Sequence, residues 1–136
     1  MNVNEGSFWK SFLAILLGFL TAFILILLIE SAGHAIFPIP GDLDPYDATA
    51  FAEYIILMPF EEFLPVLFAH FLGVFGGCLV AFKVGEGVKL PVYIVGGIVL
   101  LATSMNLYNI PHPLWFMVAD ILLVLIGILL ILRRRV

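Results

Sequence analysis

The sequence predicts an all-α, polytopic membrane protein: four transmembrane helices, with a short outer surface helix between the first and the second. Two observations carry this. The 136-residue chain is 63% hydrophobic and only 12% charged, a balance foreign to water-soluble domains, and the excess is gathered in four long runs. Residues 11–29, 63–82 and 90–110 hold no charge, and residues 113–132 hold one, Asp120. At about 1.5 Å per residue, each run is long enough as a helix to cross a hydrocarbon core of about 30 Å. Helices are expected because backbone groups in lipid must be satisfied within their own segment. The second observation is charge segregation. All six basic residues flank one end of the runs: Lys10, Lys83, Lys89, Arg133, Arg134 and Arg135. Seven carboxylates, from Glu30 to Glu62, lie at the other end with no Lys or Arg among them. Cytoplasmic segments collect Lys and Arg, so both termini are expected inside and the acidic loops outside.

One domain, 1–136, is expected, with spans at about 9–36, 59–83, 90–108 and 113–132. Span one begins near Phe8 and Trp9, rings suited to the headgroup level. Its apolar run is too long for a signal core, and no small-residue cleavage pattern follows, so it reads as a retained span. Phe37-Pro38-Ile39-Pro40-Gly41 ends it. In the following soluble stretch, Asp44 is a candidate helix cap, Pro45 suits the first helical position and Asp47 falls in the first turn. Ala48, Phe51, Ala52 and Ile55 recur at helical spacing, which predicts a short helix on the outer surface. Pro59 begins span two, where Glu61 and Glu62 favour the positive end of the helix dipole. Pro65 interrupts its ladder. A tight inner turn at Gly85-Glu86-Gly87 leads to span three, and residues 106–113 connect spans three and four.

Small residues mark packing faces: Ala14, Gly18 and Ala22 on span one, the Gly73/Gly77 GxxxG on span two, Gly96 and Gly97 on span three, Gly127 on span four. Such residues let helices approach closely, within a bundle, in a homo-oligomer or against another membrane protein. The expected partners are therefore the lipid bilayer and a second membrane protein or copy. A net charge of −4 argues against nucleic acid. The lone Cys78 reads as a small packed thiol.

His70 and Asp120 are each thirteen residues from an inner basic anchor, Lys83 and Arg133, which puts both roughly 20 Å above the inner boundary. His70 shares a face with Gly73 and Gly77, and Asp120 shares one with Gly127, so both should turn into protein and meet. Thr103 and Ser104 fall near the same level. Intramembrane ionisable groups usually mark a pathway or a ligand contact, whereas the plainer alternative is a sealed structural pair. His70, Asp120, Ser104 and Asn106 are the expected ligand- or proton-binding set.

A second tier is expected at the outer mouth. Glu30 and His34 stand four apart on span one, and Glu62 and His112 come from other helix ends. Together they could hold a divalent transition metal such as zinc. The plainer alternatives are a solvated helix-end charge for Glu30 and a loop-ordering role for His112. A bis-histidine haem is not expected, because His34 and His70 differ in depth by about 16 Å on the same count. Ser104 is expected to bond backbone, as serines in spans do, so no hydrolase is expected.

The strings Glu30-Ser31-Ala32-Gly33-His34-Ala35-Ile36-Phe37-Pro38 and Ile110-Pro111-His112-Pro113-Leu114-Trp115-Phe116 resemble those of small uncharacterised four-span bacterial membrane proteins. The resemblance covers the general layout and implies a bacterial inner membrane but no activity. Small multidrug transporters are similar in length and span number, yet their carboxylate lies deep in span one, whereas Glu30 is expected near an edge. The function expected from sequence is binding or transport of a small ligand, proton or cation through an outward-facing polar pocket. A structural or assembly subunit and a metal-dependent membrane enzyme are the alternatives.

Overall fold

The computed structural model describes residues 3–44 and 46–134. It is all-helical: α1 Val3–Ile36, α2 Ala48–Leu57, α3 Phe60–Val84, α4 Leu90–Asn109 and α5 Leu114–Leu132. Four helices are long and apolar enough to cross a membrane, over Gly6–Ile36, Phe60–Val84, Leu90–Asn109 and Leu114–Leu132. The short α2 sits at the end where α1 finishes and α3 starts (the α2 end); Lys10, Lys83, Lys89, Arg133 and Arg134 mark the opposite, basic end. Helix α1 runs 34 residues, about 51 Å, well beyond a hydrocarbon core, so it must tilt or project past the boundary.

Local chemistry sets most boundaries as expected, with one correction. Asp47, not Asp44, caps α2. Its extended backbone lets the carboxylate accept from both Thr49 N–H (3.0 Å) and Ala50 N–H (3.1 Å), so a helix starting here satisfies two orphan donors. Asp44 instead accepts from Tyr46 N–H and closes the turn before it. Pro45, expected at the first helical position, lies outside the described residues, as does Arg135. Glu61 and Glu62 occupy the first turn of α3. Between α3 and α4, Glu86 and Gly87 take left-handed backbone, φ 53° and 84°, a conformation costly for a glutamate. Glu86 pairs with Lys10 at 2.8 Å, both side chains exposed, a contact that adds little stability of its own.

Helix α3 is central and packs against α1, α4 and α5. Its closest approach is to α1, where the small residues interlock antiparallel. A Cβ added at Gly77 would lie 2.6 Å from the Gly18 carbonyl oxygen, and one at Gly18 would lie 2.8 Å from the Gly77 carbonyl. Gly73 meets Ala22 and Ile26, and Gly33 meets Pro65. Each step of four along α1 thus meets a step of about four back along α3. Gly96 and Gly127 are filled by Ile128 and Val74, whereas Gly97 faces open space. The Cys78 thiol is buried and points at the Val92 carbonyl, 3.7 Å away.

Two apolar clusters fill the bundle. One, toward the basic end, gathers Val74, Cys78, Val95, Val99, Val124 and Ile128. The other, toward the α2 end, gathers Ile55, Phe63, Leu67, Leu107 and Phe116. The buried polar residues among those described, His70, Thr103 and Asp120, fall between them as a single layer.

Two glycine substitutions separate packing from helix propensity. Gly77→Ala drives a methyl into backbone and is expected to destabilise by about 1–3 kcal/mol. Gly97→Ala meets nothing and is expected to stabilise by up to about 1 kcal/mol, since alanine is the better helix former. Thermal unfolding of both variants in mild detergent checks the pair.

Candidate functional site

His70 and Asp120 touch. The buried Asp120 carboxylate accepts from His70 Nδ1–H through both oxygens, each at 2.9 Å. An ionised carboxylate only accepts, so Nδ1 carries the hydrogen and Nε2 points away from Asp120. Across the ring, Nε2 lies 3.6 Å from Glu30 Oε1, an ion-pair distance rather than a hydrogen bond. The imidazole is therefore held between two carboxylates from α1 and α5. Asp120 is fully buried, while the Glu30 side chain is 30% exposed.

The Glu30 contact corrects the expectation that Glu30 belongs only to a separate outer tier. Side chains lean toward the N-terminus of their own helix. Helix α1 runs toward the α2 end, so Glu30 leans back down the bundle. Helix α3 runs the other way, so His70 leans up to meet it. Counting α-carbons alone overstates their separation. The missed signal was the stripe: Glu30 continues the four-residue spacing of Ala14, Gly18 and Ala22, and His70 continues that of Gly73 and Gly77.

Glu30 also joins two hollows. The first, beneath α2, has a volume of about 100 Å³. It is lined by Glu30, His34, Glu62 and His112, together with Tyr54 and Phe116. The four residues expected to hold a metal thus share one pocket. Their atoms do not converge: among the described residues no three His, Cys, Asp or Glu side chains are placed to hold a metal ion. Each is otherwise engaged or apart. Glu62 accepts from the Tyr54 hydroxyl at 3.0 Å, and burial, reinforced by that carboxylate, raises the phenol's pKa. His112 Nδ1–H donates to the Ile110 carbonyl at 2.6 Å, and its ring stacks on Phe116. His34 is exposed.

The second hollow is a groove of about 300 Å³ between α1 and α4, with His70 of α3 at its back. Glu30, Thr103 and Asn106 form its polar end, and Phe19 and Phe23 line the apolar remainder. Asn106 lines this groove. Ser104 does not. It lies one residue on from Thr103, about 100° around the helix, where it is exposed and donates to the Leu100 carbonyl at 2.8 Å. Thr103 takes the inward position instead.

Chemically, the cluster can store and pass protons, because one imidazole faces two carboxylates.

Removing one member of the buried pair strands its mate. Asp120→Asn and His70→Ala are each expected to cost about 3–5 kcal/mol. The double variant is expected to lose far less than their sum; additive losses in denaturant unfolding would mean that the two act separately. At the α2 end, burial lowers the His112 pKa despite the Ile110 carbonyl, which opposes the shift. The folded chain then binds fewer protons at this site than the unfolded chain. Its contribution is present above the unfolded histidine value of about 6.5 and lost as pH falls through the lowered folded value. Subtracting the melting profile of His112→Gln from that of the wild type between pH 7.5 and 5, ranges set by that titration, is expected to show this loss. Compared with protein-family models, with curated proteins and with solved structures, the chain finds no match.

Proposed function

We propose that the protein is a multi-pass protein of the bacterial inner membrane that binds a proton, exchangeable for an organic cation, at the Glu30–His70–Asp120 cluster, in a transport role. The observation that carries this reading is Glu30 itself, a part-exposed carboxylate 3.6 Å from a buried imidazole and shared by both hollows. Charge counting supports it. With all three groups deprotonated, the cluster carries two negative charges; one proton leaves one, and two protons leave none. Net charge within a membrane is costly. A cation can replace the second proton without changing that balance, which makes the cluster an exchange site.

The α2 end is assigned to the outside and both termini to the cytoplasm, because the basic residues flank the opposite end. The pocket beneath α2 then supplies the aqueous approach. Docking to a larger complex draws less support, since Gly18, Gly73, Gly77, Gly96 and Gly127 are all met by residues of this chain. A metal enzyme draws less as well, because His34, His112 and Glu62 keep separate company.

Labelling tests the orientation. A cysteine in place of Asp47 is expected to react with an impermeant thiol reagent added outside whole cells, and one in place of Glu86 to stay protected; the reverse pattern contradicts the assignment. Infrared difference spectra between pH 5 and 8, the interval around histidine titration, test the proton site. A carboxyl band sensitive to deuterium exchange is expected in the wild type and absent in Glu30→Gln. A wild-type spectrum without that band identifies a sealed pair, and the transport reading falls.

A further inference from the structure

The groove between α1 and α4 has the form of a ligand site distinct from the aqueous pocket. Its volume of about 300 Å³ lies at the lower end of the range for small-molecule sites. One end is polar, with Glu30, His70, Thr103 and Asn106. The rest is apolar and includes Phe19 and Phe23, whose rings stack with centroids 6.3 Å apart. Several of its wall residues, Phe23, Leu27, Ile98 and Ala102, are exposed on the bundle's flank, where lipid lies around a spanning helix. The groove therefore opens on the flank that lipid surrounds when these helices span a membrane, while Glu30 also borders the pocket beneath α2.

Resting on the exchange reading above, we infer that the groove takes an amphiphilic ammonium ion: a single cationic amine head on an alkyl or aromatic body. Charge complementarity selects the head. Among the described residues that line the groove, the only formal charges are the Glu30 carboxylate and whatever proton His70 holds, and with His70 and Asp120 balanced as an ion pair the remaining charge is negative. Thr103 and Asn106 add oxygen atoms able to accept from an ammonium N–H. The apolar run beside them suits the body, and the phenylalanine faces attract a cation passing over them. An anionic or zwitterionic amphiphile would bring a negative group against Glu30 and be repelled. The exchange balances: the ammonium enters from the bilayer, protonated Glu30 gives its proton to water in the pocket beneath α2, and the site stays neutral.

The test uses the purified full chain in detergent with 4-phenylbutylammonium as the probe and 4-phenylbutanol as its uncharged counterpart. The ammonium is expected to bind with release of about one proton per molecule, measured with a pH dye in weak buffer. Glu30→Gln is expected to abolish the release and weaken binding by more than about tenfold, and the alcohol is expected to bind no more tightly to the wild type than to that variant. If Glu30→Gln does not fold, Ala102→Trp, which fills the lipid-side wall without altering a charge, is expected to weaken ammonium binding by a similar factor. Equal binding of ammonium and alcohol, or undiminished ammonium binding to both variants, overturns the substrate class. When the wild-type carboxyl band persists in the infrared experiment, that failure belongs to the substrate class alone; when the band is missing too, the exchange reading has failed beneath it.

Discussion

The rest of the structure depends on the close antiparallel approach of α1 and α3. Lipid tails are as apolar as leucine, so helices in a bilayer gain little from hiding apolar surface and associate by packing and hydrogen bonds instead. Gly18 and Gly77 each lie against the other's carbonyl oxygen, which leaves no room for side chains and fixes the register of the pair. That register then determines the site. Four residues on from the Ala14–Gly18–Ala22 stripe comes Ile26, which fills the notch at Gly73, and four further comes Glu30, opposite His70. Gly33 against Pro65 holds the same register at the α2 end. A one-residue slip would turn Glu30 out toward lipid and leave the imidazole with a single partner.

Helix α3 carries this constraint to the other side of the bundle. His70 bonds Asp120 of α5, and Val74 one turn below fills the notch at Gly127. The polar layer is thus bracketed by tight contacts on α1 and α5, with apolar clusters above and below it. The clusters differ in how far they seal the layer. Toward the basic end, valines, Ile128 and Cys78 close it off. Toward the α2 end, Glu30 borders the hollow below α2 together with Phe63. Asp120, with no exposed surface, anchors the imidazole, whereas the Glu30 side chain is 30% exposed. The imidazole thus lies between a sealed carboxylate and a part-exposed one.

The fold was legible in the sequence because its signals are strong and local. Apolar runs long enough to span, prolines at Pro59 and Pro113, the small-residue stripes and the paired depth of His70 and Asp120 each translate directly into geometry. The α2 cap was misplaced by three residues because Asp44 and Asp47 are both good caps, and only the turn closed by Asp44 decides between them. The site was half legible. Depth counting brought His70 to Asp120, both on helices running the same way, whose side chains lean alike. It failed for Glu30 and His70, which sit on opposed helices and lean toward each other. The choice of Ser104 over Thr103 needed the rotation of α4 within the bundle: Thr103 stands seven residues from Gly96 and Ser104 seven from Gly97, and only the packing of Ile128 on Gly96 decides between them.

The central claim is that packing of α1 on α3 places Glu30 against His70. It is tested most directly by the dipolar coupling between the Glu30 carboxyl carbon and His70 Nε2, measured by solid-state NMR on labelled protein in bilayers. The account predicts a coupling of the strength set by a 3.6 Å contact between Nε2 and the carboxylate oxygen, together with a second coupling from Nδ1 to the Asp120 carboxyl. A clear Asp120 coupling with none to Glu30 would contradict it, leaving a histidine–aspartate pair sealed from both hollows.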